Sequence, residues 1–226
     1  MKPSPVLDIA FVAIVAGAYL LGSISWSYLL VRLLQGLDVR TVGSGNAGAT
    51  NAMRAAGKGV GTAVLLLDVA KGVAAIEVAR ALSAPPMVVG AAAVAVVLGH
   101  VYPVFFGFRG GKGVATSAGA MGALAPLALA LTLLVFFLVV FWKRYMSLGS
   151  VIAGATFPVM VLLCQRLGWE TWSGTEWPWV LLAAVTLGLI IVVKHLGNLR
   201  RLAAGTEPRL GERRGPASHG AANHGE

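Results

Sequence analysis

Three segments of the sequence combine glycines, small hydroxyl or amide side chains and a cation, which is the chemistry of a site that holds anions. The first is Gly43-Ser44-Gly45-Asn46-Ala47-Gly48-Ala49-Thr50-Asn51-Ala52-Met53-Arg54. Its glycines let the backbone turn tightly and approach a ligand closely. Ser44, Asn46, Thr50 and Asn51 add hydroxyl and amide donors, and Arg54 adds a planar fork that fits phosphate. Thr50 and Arg54 stand four apart, so on a helix they share a face. The segment predicts a glycine loop feeding a helix N-terminus, a ready anion site. It is not a Walker loop, because no Gly-Lys-Ser/Thr follows; a plain polar loop between helices is the alternative.

The second segment runs from Gly99-His100 through Pro103 and Phe105-Phe106-Gly107-Phe108-Arg109 to Gly110-Gly111-Lys112-Gly113-Val114-Ala115-Thr116. Gly110, Gly111 and Gly113 bracket Lys112 and open an apolar helix, which predicts bare backbone N–H groups at a helix start beside a cation. His100 closes an apolar run and reads first as a structural histidine. The three phenylalanines read as interfacial aromatics or as the lining of an acyl entrance. The third segment is Lys194-His195-Leu196-Gly197-Asn198-Leu199-Arg200-Arg201 to Glu207. His195 and Asn198 are one helical turn apart, while Arg200 and Arg201 also suit anchoring to anionic lipid. Ser150, at a helix start after Lys143-Arg144, adds a hydroxyl.

Other reactive side chains carry less. Asp68 and Lys71, three apart within an apolar run, read as a buried ion pair supporting the first segment. Cys164 reads as small apolar packing. His219 and His224 are too isolated for a metal site, which needs several convergent ligands. No metal or other cofactor is expected.

The elements that position these segments are membrane helices. Of 226 residues, 57% are hydrophobic and 12% charged, with mean hydropathy +0.79; a soluble domain carries about 25% charged residues. Apolar runs cover Val6–Val31, Val60–Ala81, Met87–Phe106, Val114–Trp142, Leu148–Leu167 and Trp177–Val193. They lack the alternation of barrel strands, and the first is too long for a cleaved signal core. Most of the 18 Lys and Arg residues fall in 32–58, 107–113, at Lys143-Arg144 and from Lys194 onward. Such hugging of membrane ends argues against nucleic acid and for basic cytoplasmic loops. Glu170, Glu176 and the tryptophans at 169, 172, 177 and 179 then mark an outside turn. The run 114–142 is either one helix or a hairpin broken near Pro126. A hairpin keeps Lys143, Arg144 and the tail inside. The expected fold is therefore an all-α polytopic membrane protein of seven transmembrane helices, with N-terminus outside, C-terminus cytoplasmic and three motif-bearing cytoplasmic loops. The membrane domain is expected over 1–208, and a disordered basic tail over 209–226.

In order and spacing, Ser44-Gly45-Asn46-x-Gly48-Ala49-Thr50-Asn51-x-x-Arg54, Gly99-His100-x-x-Pro103 through Gly110-Gly111-Lys112-Gly113-Val114-Ala115-Thr116, and His195-x-x-Asn198-x-x-Arg201-Leu202-x-x-Gly205-Thr206-Glu207 resemble one family. It is the acyl-phosphate-dependent glycerol-3-phosphate acyltransferases, the PlsY type, of the bacterial plasma membrane. The resemblance covers residues 6 to about 208. The departures are Leu199, where isoleucine is usual, and Arg109, where lysine is usual. It implies seven helices and acyl transfer from acyl phosphate to glycerol 3-phosphate, giving lysophosphatidate and phosphate. It also implies a functional link to the enzyme that supplies acyl phosphate, with bilayer lipid as surroundings. Ser44, Arg54, Lys112 and Ser150 match phosphate-binding positions, and His195 and Asn198 match the reacting centre. Gly45, Asn46, Thr50 and Asn51 lie in the matching glycine segment, with Asp68, Lys71, His100 and Glu207 supporting. Either His195 or the acyl phosphate's own phosphate takes the hydroxyl proton. Two other functions were weighed. A transporter of phosphorylated metabolites needs midplane polar residues, for which only Asp68, Lys71 and Glu77 come close. A CDP-alcohol phosphotransferase needs clustered aspartates, and Asp68 stands alone.

Overall fold

The computed structural model describes residues 5–211 except 171. His219, His224 and the part of the expected tail from 212 onward lie outside the described residues. Among these residues the secondary structure is entirely helical: α1 (Pro5–Gly22), α2 (Trp26–Gln35), α3 (Ala49–Ala81), α4 (Pro86–Val101), a 3-10 turn (Val104–Phe106), α5 (Val114–Leu124), α6 (Pro126–Lys143), α7 (Met146–Arg166), α8 (Trp177–Lys194) and α9 (Leu196–Ala203). Six stretches are long and apolar enough to cross a bilayer, and Val114–Leu124 is a shorter apolar helix beside them. Large apolar side chains point outward, Phe137 at 61% and Phe141 at 79% exposure, as a lipid-facing surface requires. Inside, Ile76, Val96, Val97, Met121 and Leu187 form the core.

Two expectations change in detail. The run Val6–Val31 is not one straight helix, because the chain breaks at Ser23-Ile24-Ser25 before α2. The loop expected over 32–58 is mostly helical. Gly36 ends α2 at φ 68 with its N–H on the Arg32 carbonyl, and α3 begins at Ala49. Thr50 and Arg54 do sit on the first turns of a helix. Gly57 (φ 88, ψ 173) then bends α3, so those turns form a separate short piece.

The 114–142 run is broken at Ala125-Pro126, as the hairpin reading required. Proline has no N–H to donate and opens α6 at its first position. The break is held from across the chain. Glu170 Oε1 accepts the N–H of Leu127 at 2.5 Å and of Ala128 at 3.3 Å, and Trp172 Nε1 donates to Leu124 O at 3.0 Å. Small residues set the helix contacts, as in other membrane bundles. A Cβ on Gly119 would lie 2.0 Å from Val69 O, and one on Gly72 2.3 Å from Thr116 O, so α3 and α5 touch backbone to backbone.

Candidate active site

The third segment forms the floor of the site. His195 leaves α8 with φ −103, ψ 3 and begins α9. Its Nδ1 lies 2.7 Å from Ile191 O; a carbonyl only accepts, so Nδ1 carries the proton and Nε2 is left free. Burial, helped by the charge of Lys112, pushes the His195 pKa down to about 4. The ring is therefore neutral at pH 7.

Asn198, one turn on, accepts a short hydrogen bond from the Lys112 ammonium on Oδ1. Its Nδ2 donates to Glu207 Oε1 at 2.6 Å. These partners fix the amide's orientation, since an ammonium only donates and a carboxylate only accepts. Glu207 also receives the Ser147 hydroxyl at 2.7 Å and Arg201 Nε at 2.8 Å. Burial works against its charge, yet these hydrogen bonds and the Arg201 charge hold its carboxyl below the usual range. Burial also pushes Lys112 down to about 8. Glu207 opposes that shift, while Arg201, Lys194 and Arg54 add to it. All three sequence segments thus come within electrostatic reach of one lysine, Lys112, which feels Arg54, Lys194 and Arg201 as well as the carboxylate of Glu207. Such a field favours anions.

The glycines act differently from expectation. Gly110 N–H donates to Val101 O at 3.2 Å and Gly111 N–H to His100 O at 3.1 Å, so neither is a bare donor. The open donors lie just beyond, at Val114 to Thr116, because the first N–H groups of α5 have no helical acceptor. Gly113, at φ 83, makes the turn into that helix.

In the first segment Ser44, Gly45, Thr50 and Arg54 are exposed and Asn46 is half-buried. Asn51 is buried at 1% exposure. Its Oδ1 accepts the Ser44 N–H at 2.9 Å, and its Nδ2 donates to Val39 O at 2.7 Å and Val42 O at 3.0 Å. Asn51 therefore shapes the loop that presents Ser44 rather than offering its own donors. Ser150 spends its proton on Met146 O of its own helix at 2.9 Å. Ser147 is the hydroxyl joined to Glu207, and the sequence signal for it was present: it lies three residues ahead, on the same helical face. Asp68, Lys71 and His100 meet in a buried cluster under the loop that carries Lys112.

Two concavities flank this pole. One, of about 490 Å³, is lined by Tyr28, Arg40, Phe105, Phe106, Gly107 and Arg109. There Arg40 grips Asp38 and donates to Phe106 O at 2.7 Å. The other, of about 220 Å³, is an apolar groove between Tyr102 and Thr186, Leu189, Ile190, Val193 and Lys194. Lys194 Nζ covers its Tyr102 wall, 4.8 Å from the ring centroid.

Comparison with known proteins gives one consistent result. The profile of the family described as glycerol-3-phosphate acyltransferase matches residues 12–205. Glycerol-3-phosphate acyltransferase 2 of Moorella thermoacetica is 46% identical over 87% of this chain and 95% of its own length. The glycerol-3-phosphate acyltransferase of Halalkalibacterium halodurans is 38% identical over 89% and 96%. Among solved structures, PlsY (YgiH), described as an integral membrane glycerol 3-phosphate acyltransferase, superposes in its glycerol 3-phosphate form with a TM-score of 0.78. It is 39% identical and covers 89% of this chain and 96% of that one. Its lysophosphatidic acid form gives 0.77 at 38% identity, with the same coverage.

Proposed function

The chain belongs to the glycerol-3-phosphate acyltransferase family, and on that premise we propose that it transfers a fatty acyl group from acyl phosphate to the sn-1 hydroxyl of glycerol 3-phosphate. The products are lysophosphatidate and phosphate, the reaction belongs to phospholipid synthesis, and the active face is cytoplasmic in the bacterial inner membrane. The observation that carries this reading is the gathering of three anion-binding segments around Lys112 and Asn198, with Arg54 in electrostatic reach. Two phosphorylated substrates need two sets of donors. The exposed Ser44, Thr50 and Arg54 supply one, and Lys112 with the first turn of α5 supplies the other.

The glycerol hydroxyl oxygen attacks the acyl carbonyl carbon, the bond from that carbon to the phosphate oxygen breaks, and its electron pair leaves on phosphate. Phosphate is already a good leaving group, so positioning and charge stabilisation carry the rate. The hydroxyl proton needs a base near the working pH. His195, pushed to about 4, is a weak one, whereas the acyl phosphate's own phosphate gains negative charge, and with it basicity, as the carbon-to-oxygen bond breaks. The proton therefore goes to the acyl phosphate's own phosphate. The free Nε2 of His195 accepts a hydrogen bond from the neighbouring sn-2 hydroxyl and so orients the glycerol. The apolar groove beside Lys194 suits the acyl chain, one residue from His195.

The test is a purified, metal-free assay with acyl phosphate and glycerol 3-phosphate, following phosphate release and lysophosphatidate. Acyl-CoA and acyl carrier protein serve as alternative donors. Product from acyl phosphate alone is the expected result; product only from a thioester donor would replace the donor and keep the acceptor.

A further inference from the structure

Beneath the loop that carries Lys112 lies a polar cluster that the acyl transfer does not use directly. Asp68 and Lys71 on α3 and His100 on α4 are each at most 6% exposed. Lys71 Nζ stands 2.8 Å from Asp68 Oδ1 and 2.9 Å from His100 Nδ1. It also donates to the carbonyls of Gly22 and Ile24, at 3.1 and 3.0 Å, where α1 breaks into α2. An ammonium carries donors only. The ammonium's three N–H groups have four acceptors in reach, and His100 Nδ1, nearer to Lys71 than to Asp68, takes one of them, which leaves the ring's proton on Nε2. Asp68 Oδ1 lies 3.4 Å from the same nitrogen, but a proton placed there would face the ammonium across the shorter contact.

The Nε2 edge of that ring is where two substrate loops meet. A Cβ on Gly111 would lie 2.1 Å from His100 Nε2 and 2.8 Å from Ala47 O, and one on Gly110 2.0 Å from His100 O. The Gly110-Gly111 backbone therefore rests on His100, with Ala47 of the first segment meeting Gly111 at the same point, and Lys112 is the next residue.

We propose that Lys71 is a positioning residue for Lys112, acting through His100, with Lys112 in the role given to it by the acyl-transfer reading above. By fixing the rotamer and the Nε2–H tautomer of His100, Lys71 sets the seat of Gly111 and hence the reach of Lys112 to Asn198. One ammonium in this way couples the α1–α2 break, the first motif and the second.

The test is ¹⁵N-histidine NMR on the full chain with His219→Gln and His224→Gln, which leaves His100 and His195. Opposite tautomers are expected: the proton on Nε2 of His100 and on Nδ1 of His195. Asp68→Asn with Lys71→Met removes the pair without leaving a buried charge unpaired. In that background His100 should lose its single tautomer and kcat/KM for glycerol 3-phosphate should fall about tenfold. Lys112→Ala should then cost less than in the native chain, the non-additivity of coupled sites. A proton on His100 Nδ1 in the native chain, an unchanged kcat/KM in the paired variant, or costs that simply add would each overturn the proposal. The native tautomer decides the matter even if the paired variant fails to insert. If the tautomers behave as expected but Lys112→Ala retains full turnover, the positioning stands and the role given to Lys112 in acyl transfer falls.

Discussion

At the scale of single residues, the proposed site assigns the chemistry to its cations, and their protonation sets the expected pH range. Lys112 is held down to about 8 by burial, so its charge is present below that pH and lost as pH rises through it. Anion binding needs the charge. Hence kcat/KM, which reports the free enzyme, should decline above about pH 8, and in kcat the limb should move to higher pH because bound phosphate favours the ammonium. Arginine at this position stays charged, so Lys112→Arg should flatten the basic limb in a pH–rate series whatever activity it retains. Arg54→Ala and Lys112→Ala should each lower kcat/KM by roughly 10²- to 10³-fold, the usual cost of one electrostatic donor. Full activity in either purified, folded variant would remove that residue from the phosphate cradle. His195→Ala separates two routes for the proton. Turnover retained in the purified, folded variant fits a substrate phosphate as base; turnover abolished would reinstate the histidine. Which residues would gather was legible in the sequence, because glycines, amides and cations in three linked segments have a chemistry of their own. Which donors were already spent was not. Asn51, Gly110 and Gly111 look like open donors on paper, and only the fold shows their partners to be the backbone of Val39, Val42, Val101 and His100. The contact of Ser147 with Glu207 likewise depends on a residue returning from 60 positions away.

At the scale of elements, the decisive feature is a short helix. α5 has 11 residues, about 16 Å at 1.5 Å per residue, roughly half of a 30 Å hydrocarbon core. It ends beside the Glu170–Trp172 turn, so its N-terminus and Lys112 sit recessed within the bundle, which is why burial presses on that lysine. Pro126 announced the break in the sequence. Glu170 did not announce itself as the cap of α6, since an acid in a tryptophan-rich turn reads equally as an outside charge. The short helix has little surface of its own and depends on close packing against α3. Gly119→Ala places a methyl 2.0 Å from Val69 O, and overpacking of this kind costs about 1–3 kcal/mol. It should lower the unfolding temperature in detergent and reduce kcat together. Gly17→Ala, also in a helix but with open space around it, should leave both unchanged. Equal behaviour of the two variants would mean that α5 is not held by this contact. Helix and loop boundaries near the first motif were the least legible elements, because the break at Ser23-Ile24-Ser25 has its partner elsewhere: the Lys71 ammonium reaches the carbonyls of Gly22 and Ile24.

At the scale of the whole molecule, hydrogen bonds sort the chain into two poles. Lys112 meets Asn198, Ser147 meets Glu207, and Leu210 N–H meets Arg144 O at 2.6 Å, all at one end. Leu124 and Leu127 meet Trp172 and Glu170, and Gly90 approaches Trp179, at the other. The basic segments at Lys112, at Lys143-Arg144 and after Lys194 fall together at the first pole. The proposed orientation, with this pole in the cytoplasm, follows from the rule that short basic loops stay inside. The orientation is open to direct measurement because the native cysteine, Cys164, is buried and can be replaced by alanine. In that background a cysteine at Thr175 or Ser83, both exposed, should react with a membrane-impermeant maleimide added to intact cells. One at Thr41 or Thr206, exposed at the motif pole, should react only after the membrane is opened. The reverse pattern would put the phosphate cradle outside the cell, away from phosphorylated metabolites made within, and the acyl-transfer reading would then need a different source for both substrates. Labelling of Thr41 and Thr206 from opposite sides would instead contradict the hydrogen-bonded pole itself, and with it the meeting of the three motifs on which the proposed site rests.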